Sequence, residues 1–205
     1  MKTINLPLHL DCHYYSNNCK DPKRIYLLLH GYMLDGKFMF DVLRQYLPKD
    51  SLIISPNGPF LVPHKKADSF FARYSWYFFE PKEKKFFVTY EPAAKYLSDL
   101  IDSIDLKLPV TVIGYSQGGF LAPKVAEVCS RVDQVIGLAC IFRSMLFFKR
   151  DIEYSQIHSI EDGIVSPIDA QSEFEKLDSN GHFLKIENVG HKLGPAYFEK
   201  LKSLI

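Results

Sequence analysis

Val110-Thr111-Val112-Ile113-Gly114-Tyr115-Ser116-Gln117-Gly118-Gly119 decides how the rest of the chain is read. Val110 to Ile113 is a β-branched run of the kind that fills a buried strand, and the residues after Ser116 suit a helix. Between them lies G-x-S-x-G, a strand-to-helix turn sharp enough to lift a serine hydroxyl above the end of a sheet. Such a turn strains the serine backbone and brings neighbouring chain close on both sides. Gly114 and Gly118 stand where a Cβ would collide with it. Five residues can match a pattern by accident, so the rest of the chain must supply a base, an acid and oxyanion donors in a matching order.

Outward from the elbow, short apolar runs alternate with helical rhythm. Arg24 to Leu29 reads as a strand covered on both faces, followed by the loop His30-Gly31-Tyr32-Met33-Leu34-Asp35-Gly36 and a helix over Phe38 to Leu47. Leu52 to Ser55 is a second buried strand, closed by the turn Pro56-Asn57-Gly58-Pro59. Glu91 to Leu106 is a helix, and so is Gln117 to Cys129, which Pro123 should bend or weaken. Gln134 to Ile141, Ser155 to Ile160 and His182 to Glu187 read as strands, with helices over Ala170 to Leu177 and Ala196 to Leu204. Residues 1 to 15 alternate loosely, as an antiparallel edge strand or hairpin would. Strands alternating with helices imply an α/β fold: a mainly parallel sheet with helices on both faces.

Residues 60 to 90 break that rhythm. They hold eleven aromatics, including the chain's only tryptophan, Trp76. Tyr74 to Phe79 and Phe86 to Tyr90 flank the charged turn Glu80 to Lys85, so a hairpin or irregular flap is expected there. These rings are suited either to lining an apolar pocket or to covering the sheet edge or a neighbouring subunit, which leaves a homodimer open.

With 205 residues the chain suits a single domain, 1–205, and its 47% hydrophobic and 24% charged content is that of an ordinary globular protein. Lys and Arg total 25 against 24 Asp and Glu, so no net field favours nucleic acid or an anionic membrane. Lys65-Lys66 and Lys82 to Lys85 read as solvated loops. No signal peptide or membrane span is legible, and the four cysteines lack both metal-ligand spacing and scaffold density. A reducing cytoplasm is the expected location, with no metal.

In a parallel sheet the working site lies at the carboxyl ends of the strands. After Leu29 come His30 and Gly31, after Ile113 comes Ser116, after Ile160 comes Asp162, and after the last strand comes His191. A serine hydroxyl near neutral pH needs a base to take its proton, histidine has a suitable pKa, and a carboxylate fixes the imidazole tautomer. The chain order Ser116, Asp162, His191 is one of the known orders of that constellation. Glu161, Asp151 and Asp169 compete for the acid role; Asp162 is preferred because Gly163 offers a tight turn after it, with Ile164-Val165 anchoring the loop. His182 starts its strand at the wrong end of the sheet, and His158 reads as a core histidine. The oxyanion needs two backbone N–H donors: Gln117 directly after the nucleophile, and Tyr32 in the loop after the first buried strand. His30 is expected to hydrogen-bond within that loop.

These pieces resemble the phospholipase/carboxylesterase family of α/β-hydrolases, which includes the small acyl-protein thioesterase-like esterases. The resemblance rests on Leu29-His30-Gly31, Pro56-Asn57-Gly58-Pro59, Trp76, Gly114-Tyr115-Ser116-Gln117-Gly118-Gly119, the run His158 to Val165, and Gly190-His191. It implies an α/β-hydrolase fold, the triad Ser116, Asp162 and His191, Trp76 facing the site, and no cofactor. The chain departs from the family at Met33, which would narrow the entrance, at Ser159 and Gly163, and at Phe142-Arg143-Ser144, where relatives carry small residues. Met33, Trp76 and Phe142 are therefore the candidate pocket residues.

The function expected is hydrolysis of carboxylic esters or thioesters through an acyl-enzyme on Ser116, with a small-molecule ester or acylated compound as substrate. A binding protein that keeps a vestigial triad is the alternative from another class. A short-peptide hydrolase is a third, though it lacks the large gating domain common to such enzymes.

Overall fold

The computed structural model describes residues 11–144, 151–177 and 180–205. The amino-terminal part of the expected edge strand, residues 1 to 10, lies outside them. Seven strands form the central sheet: β1 (Tyr14–Ser16), β2 (Arg24–Leu29), β3 (Ser51–Pro56), β8 (Val110–Tyr115), β9 (Val132–Leu138), β10 (Glu153–Ser159) and β11 (Phe183–Ile186). Their order is β1-β3-β2-β8-β9-β10-β11, with β1 antiparallel to β3 at one edge and every other pairing parallel.

Side-chain alternation along β2 explains its uninterrupted apolar sequence. Ile25, Leu27 and Leu29 enter one core cluster, while Tyr26 and Leu28 enter the other. The first cluster is covered by α2 (Glu91–Asp102) and α3 (Gln117–Val128), through Ala93, Leu97, Leu121 and Val125. The second is covered by α1 (Gly36–Leu43) and α5 (Pro195–Leu201), through Met39, Leu43, Tyr197 and Leu201. Helices therefore lie on both faces, and α4 (Pro167–Phe174) adds Ala170 to a small third cluster with Ile141 and Val165. α3 runs on through Pro123 to Val128 rather than ending there.

The aromatic segment forms two separate hairpins, of which the sequence suggested only the second. β4 (Phe60–Lys66) pairs with β5 (Ser69–Ser75), and β6 (Phe78–Glu80) pairs with β7 (Lys85–Val88) around the anticipated charged turn. The chain leaves the sheet after β3, makes both hairpins and α2, and returns as β8 on the other side of β2. Strand order thus reverses between β2 and β8, and a crevice opens outside their carboxyl ends, the usual binding position in such sheets. Among the described residues no helix is long and apolar enough to cross a membrane.

Candidate active site

Ser116 sits in that crevice. It follows β8 directly and precedes α3, and its backbone adopts φ 49° and ψ −115°, a conformation side-chain-bearing residues seldom take. The flanking glycines permit it. A Cβ on Gly114 would lie 2.4 Å from the Gly118 carbonyl oxygen, and one on Gly118 would lie 2.4 Å from the Leu29 carbonyl oxygen. The elbow is therefore wedged against its own helix and against the end of β2.

Three of the sequence-predicted residues come together. His191 Nε2 lies 2.9 Å from Ser116 Oγ, and His191 Nδ1 lies 2.8 Å from Asp162 Oδ2. With a carboxylate on one side and a hydroxyl on the other, the consistent assignment is Nδ1–H donating to Asp162 and Nε2 accepting from Ser116. The Asp162 side chain is fully shielded from solvent, and that of His191 is 13% exposed. A buried carboxylate needs hydrogen-bond partners, and Asp162 has them. Its Oδ1 accepts from the amides of Ile164 and Val165, each at 2.9 Å. These two bonds close the turn. Gly163 was expected to make it, but it needs no left-handed backbone, and an added Cβ there would meet nothing within 4 Å. Of the expected apolar anchor, Val165 is buried and Ile164 is 76% exposed.

Several supporting residues went unread in the sequence. Tyr115, the variable residue of the elbow, donates its hydroxyl to the His191 carbonyl at 3.0 Å and lays its ring against the imidazole, 5.4 Å between centroids. Ser159 bonds through its hydroxyl to the Val189 carbonyl, tying the end of β10 to the histidine loop. His158 is a core histidine as expected, yet it also approaches the site: its Nε2 is 3.1 Å from the Val165 carbonyl and 3.4 Å from Asp162 Oδ2. Burial holds its pKa below the ordinary histidine value, against the pull of the Val165 carbonyl and Asp162.

The oxyanion loop is braced from the aromatic segment. His30 Nδ1 donates to the Gly31 carbonyl at 2.8 Å, while Nε2 accepts from the Gly58 amide at 2.9 Å, so the ring is neutral and structural. Burial lowers its pKa to about 4. Met33 donates its amide to the Tyr74 carbonyl at 3.0 Å, and Tyr74 returns a bond to Leu34 at 3.2 Å. The Met33 amide is thus occupied, and the Leu34 amide donates to the Gly31 carbonyl at 3.1 Å, while among the described residues no hydrogen bond takes that of Tyr32. Gln117 is the first residue of α3, where an amide has no partner inside the helix. The Gln117 side chain is a further anchor: its Nε2 donates to Ser75 Oγ at 3.0 Å and to the Tyr77 carbonyl at 2.9 Å, and its Oε1 accepts from the Trp76 amide at 3.1 Å.

A cavity of about 840 Å³ opens beside these donors, lined by Tyr32, Gln117, Tyr77, Phe120 and Tyr90 together with Phe78, Phe79, Phe86 and Phe87 of the β6–β7 hairpin. Arg143 and Glu173 complete the wall. None of the three candidate pocket residues lines it. Trp76 is fully buried, its ring centroid 4.6 Å from that of His30 and tilted by 32°, with its indole N–H donating to the His30 carbonyl at 2.8 Å. It supports the loop from beneath. Phe142 is fully buried against Tyr154, at 6.0 Å between ring centroids, and its exposed neighbour Arg143 takes the wall position. Met33 does not line the cavity; its backbone, at φ 58°, belongs to the turn joined to β5.

Solved structures that superpose on the chain are consistent in kind. Acyl-protein thioesterase 2 from Zea mays aligns with a TM-score of 0.75 at 15% identity, over 94% of this chain and 96% of that one. Esterase PE8 gives 0.72 at 19% identity, over 96% and 98%, and Arabidopsis thaliana SOBER1 gives 0.65 at 17%, over 88% and 96%. The chain has the α/β-hydrolase fold. These neighbours include the small esterases and thioesterases that the sequence resembles. No family model matches the chain, and no curated protein matches it significantly. Within the hydrolase fold, the elbow, the acid turn and the histidine loop described above each stand at a carboxyl end of the sheet.

Proposed function

We propose that the protein is a serine hydrolase of carboxylic esters or thioesters, with Ser116 as nucleophile, His191 as general base and acid, and Asp162 orienting it. The observation that carries this reading is the unbroken line from buried Asp162 through His191 to Ser116, at a strained elbow beside an apolar cavity. The names of the solved neighbours, a thioesterase and esterases, favour an acyl substrate over a peptide.

In this reading Ser116 Oγ attacks the acyl carbonyl carbon while its proton passes to His191 Nε2. The electron pair moves onto the carbonyl oxygen, which the amides of Gln117 and Tyr32 receive. The tetrahedral centre collapses, the bond to the leaving oxygen or sulfur breaks, and His191 returns its proton to that atom. Water then attacks the acyl-enzyme with His191 again as base, releasing the acid and regenerating Ser116. Asp162 stays ionised throughout and stabilises the imidazolium. The β6–β7 hairpin supplies the acyl-binding wall.

A fluorophosphonate probe tests the reading. Wild-type protein should label on Ser116, and folded Ser116→Ala should not label and should lose at least about 10³-fold in ester turnover. Absence of labelling in folded wild-type protein would instead favour a binding protein on a hydrolase fold.

A further inference from the structure

Apart from Gln117, the cavity wall is aromatic except on one side. There Arg143 and Glu173 face it, and the two differ in what they are bound to. Glu173 is committed: its Oε2 accepts from the Ser144 amide at 2.9 Å and the Ser144 hydroxyl at 2.8 Å, and its Oε1 accepts from Lys176 at 2.6 Å. These bonds depress its pKa to about 2, so it is an anion whose charge is already matched. They also fix the turn that carries Arg143. Arg143 itself forms no ion pair with any described residue. It lies near enough to Tyr90 for its charge to act on that hydroxyl, so a cation and a phenol share this side of the wall.

We infer that the cavity takes an acyl group bearing an anionic carboxylate, with its chain against the phenylalanines of β6–β7 and its charge on the Arg143 guanidinium. The inference rests on the ester-hydrolase reading and adds the substrate class. A planar guanidinium matches a carboxylate through two parallel N–H···O bonds. Glu173 would repel such a ligand if it were unpaired, and Lys176 with Ser144 offsets that repulsion. A neutral acyl chain would gain the same apolar contacts and leave the Arg143 charge unused.

Two acyl groups of equal length separate the possibilities: p-nitrophenyl hexanoate, and the mono-p-nitrophenyl ester of adipic acid, which replaces the terminal methyl group with a carboxylate. Arg143→Gln should lower kcat/KM for the adipate ester about 10- to 100-fold more than for the hexanoate, and Arg143→Lys should restore part of the difference. Equal losses on both esters would overturn the assignment. A binding measurement keeps the test independent of turnover. Calorimetric titration of the Ser116→Ala protein with monomethyl adipate should give tighter binding than with methyl hexanoate, and Arg143→Gln should abolish that preference. Failure of labelling and turnover with the binding preference intact would remove the esterase reading alone; equal binding of the two esters would remove the anion site.

Discussion

The β4–β5 and β6–β7 hairpins are made of the same materials, phenylalanines and lysines on short antiparallel strands, yet only one is a cavity wall. In β4–β5 the aromatic residues near its tip stand in solvent, Phe70 at 71% and Phe71 at 49% exposure, and the useful contacts are at its base. Tyr74 pairs with the oxyanion loop, and just past the strand Trp76 fills the space under His30. In β6–β7 Phe87 is also exposed, at 67%, but Phe86 turns inward: it packs 5.1 Å from Tyr90 and 4.7 Å from Phe79, and Tyr77 packs 4.5 Å from Tyr90. What each hairpin contributes is set by where its ends are tied, because composition is nearly shared and attachment is not. The strap Ser75-Trp76-Tyr77, held by the Gln117 side chain, is where one arrangement passes into the other.

The sharpest challenge to this division is removal of Trp76. Trp76→Ala empties a fully buried site and strips the His30 carbonyl of its donor, so about 3–5 kcal/mol of stability should be lost. Its signature is a lower urea midpoint together with reduced turnover on short and long acyl esters alike. A Trp76→Ala protein of wild-type stability whose defect is confined to long acyl chains would return Trp76 to the pocket.

Much of the sheet and the polar site was legible from the sequence because each piece is set by local rules. Buried strands announce themselves by continuous apolar runs, and β2 matches its expected limits at Arg24 and Leu29. The elbow is enforced by glycines that the backbone cannot replace, and Asp162 and His191 were read from their places after strands together with the adjoining Gly163 and Gly190. The aromatic segment obeyed no such rule. An aromatic side chain satisfies a pocket wall, a core and an exposed strand equally well, so Trp76, Phe142 and Met33 could be assigned only by resemblance. The neighbours that decide their positions, His30, Tyr154 and Tyr74, are distant in sequence. Tyr115 was hidden for a related reason: its bond to the His191 carbonyl spans 76 residues.

His30 offers a pH test of the brace. Its folded pKa is about 4 against an ordinary 6.5, chiefly through burial, with the Gly31 carbonyl and Asp35 opposing. As pH falls below 6.5 the unfolded chain takes up a proton that the folded chain refuses until about 4. The stabilisation is therefore complete above pH 6.5 and is lost progressively down to about pH 4. His158 shifts in the same direction, so the comparison must be with a variant. His30→Gln removes the titrating ring, and it should flatten the slope of unfolding free energy against pH in this window by up to about 1.4 kcal/mol per pH unit. An unchanged slope would mean that the protons are taken up elsewhere.

The smallest expected effect divides the two hairpins most cleanly. Phe70→Ala removes a ring that is mostly in water, so stability should stay within about 0.5 kcal/mol and the rates should not move. Phe86→Ala removes a half-buried ring from the cavity wall, with its contacts to Tyr77, Tyr90 and Phe79. Aromatic pairing of this kind contributes about 0.5–1.5 kcal/mol beyond the area covered, so KM for acyl chains long enough to reach the ring should rise several-fold, with little change for acetyl esters. A series of p-nitrophenyl esters of increasing acyl length checks both variants. The wild type and Phe70→Ala should share one maximum, and Phe86→Ala should shift or flatten it. If the two variants gave superimposable profiles, the cavity wall and the exposed hairpin would be functionally indistinguishable, and the acyl group would have to lie elsewhere along the crevice.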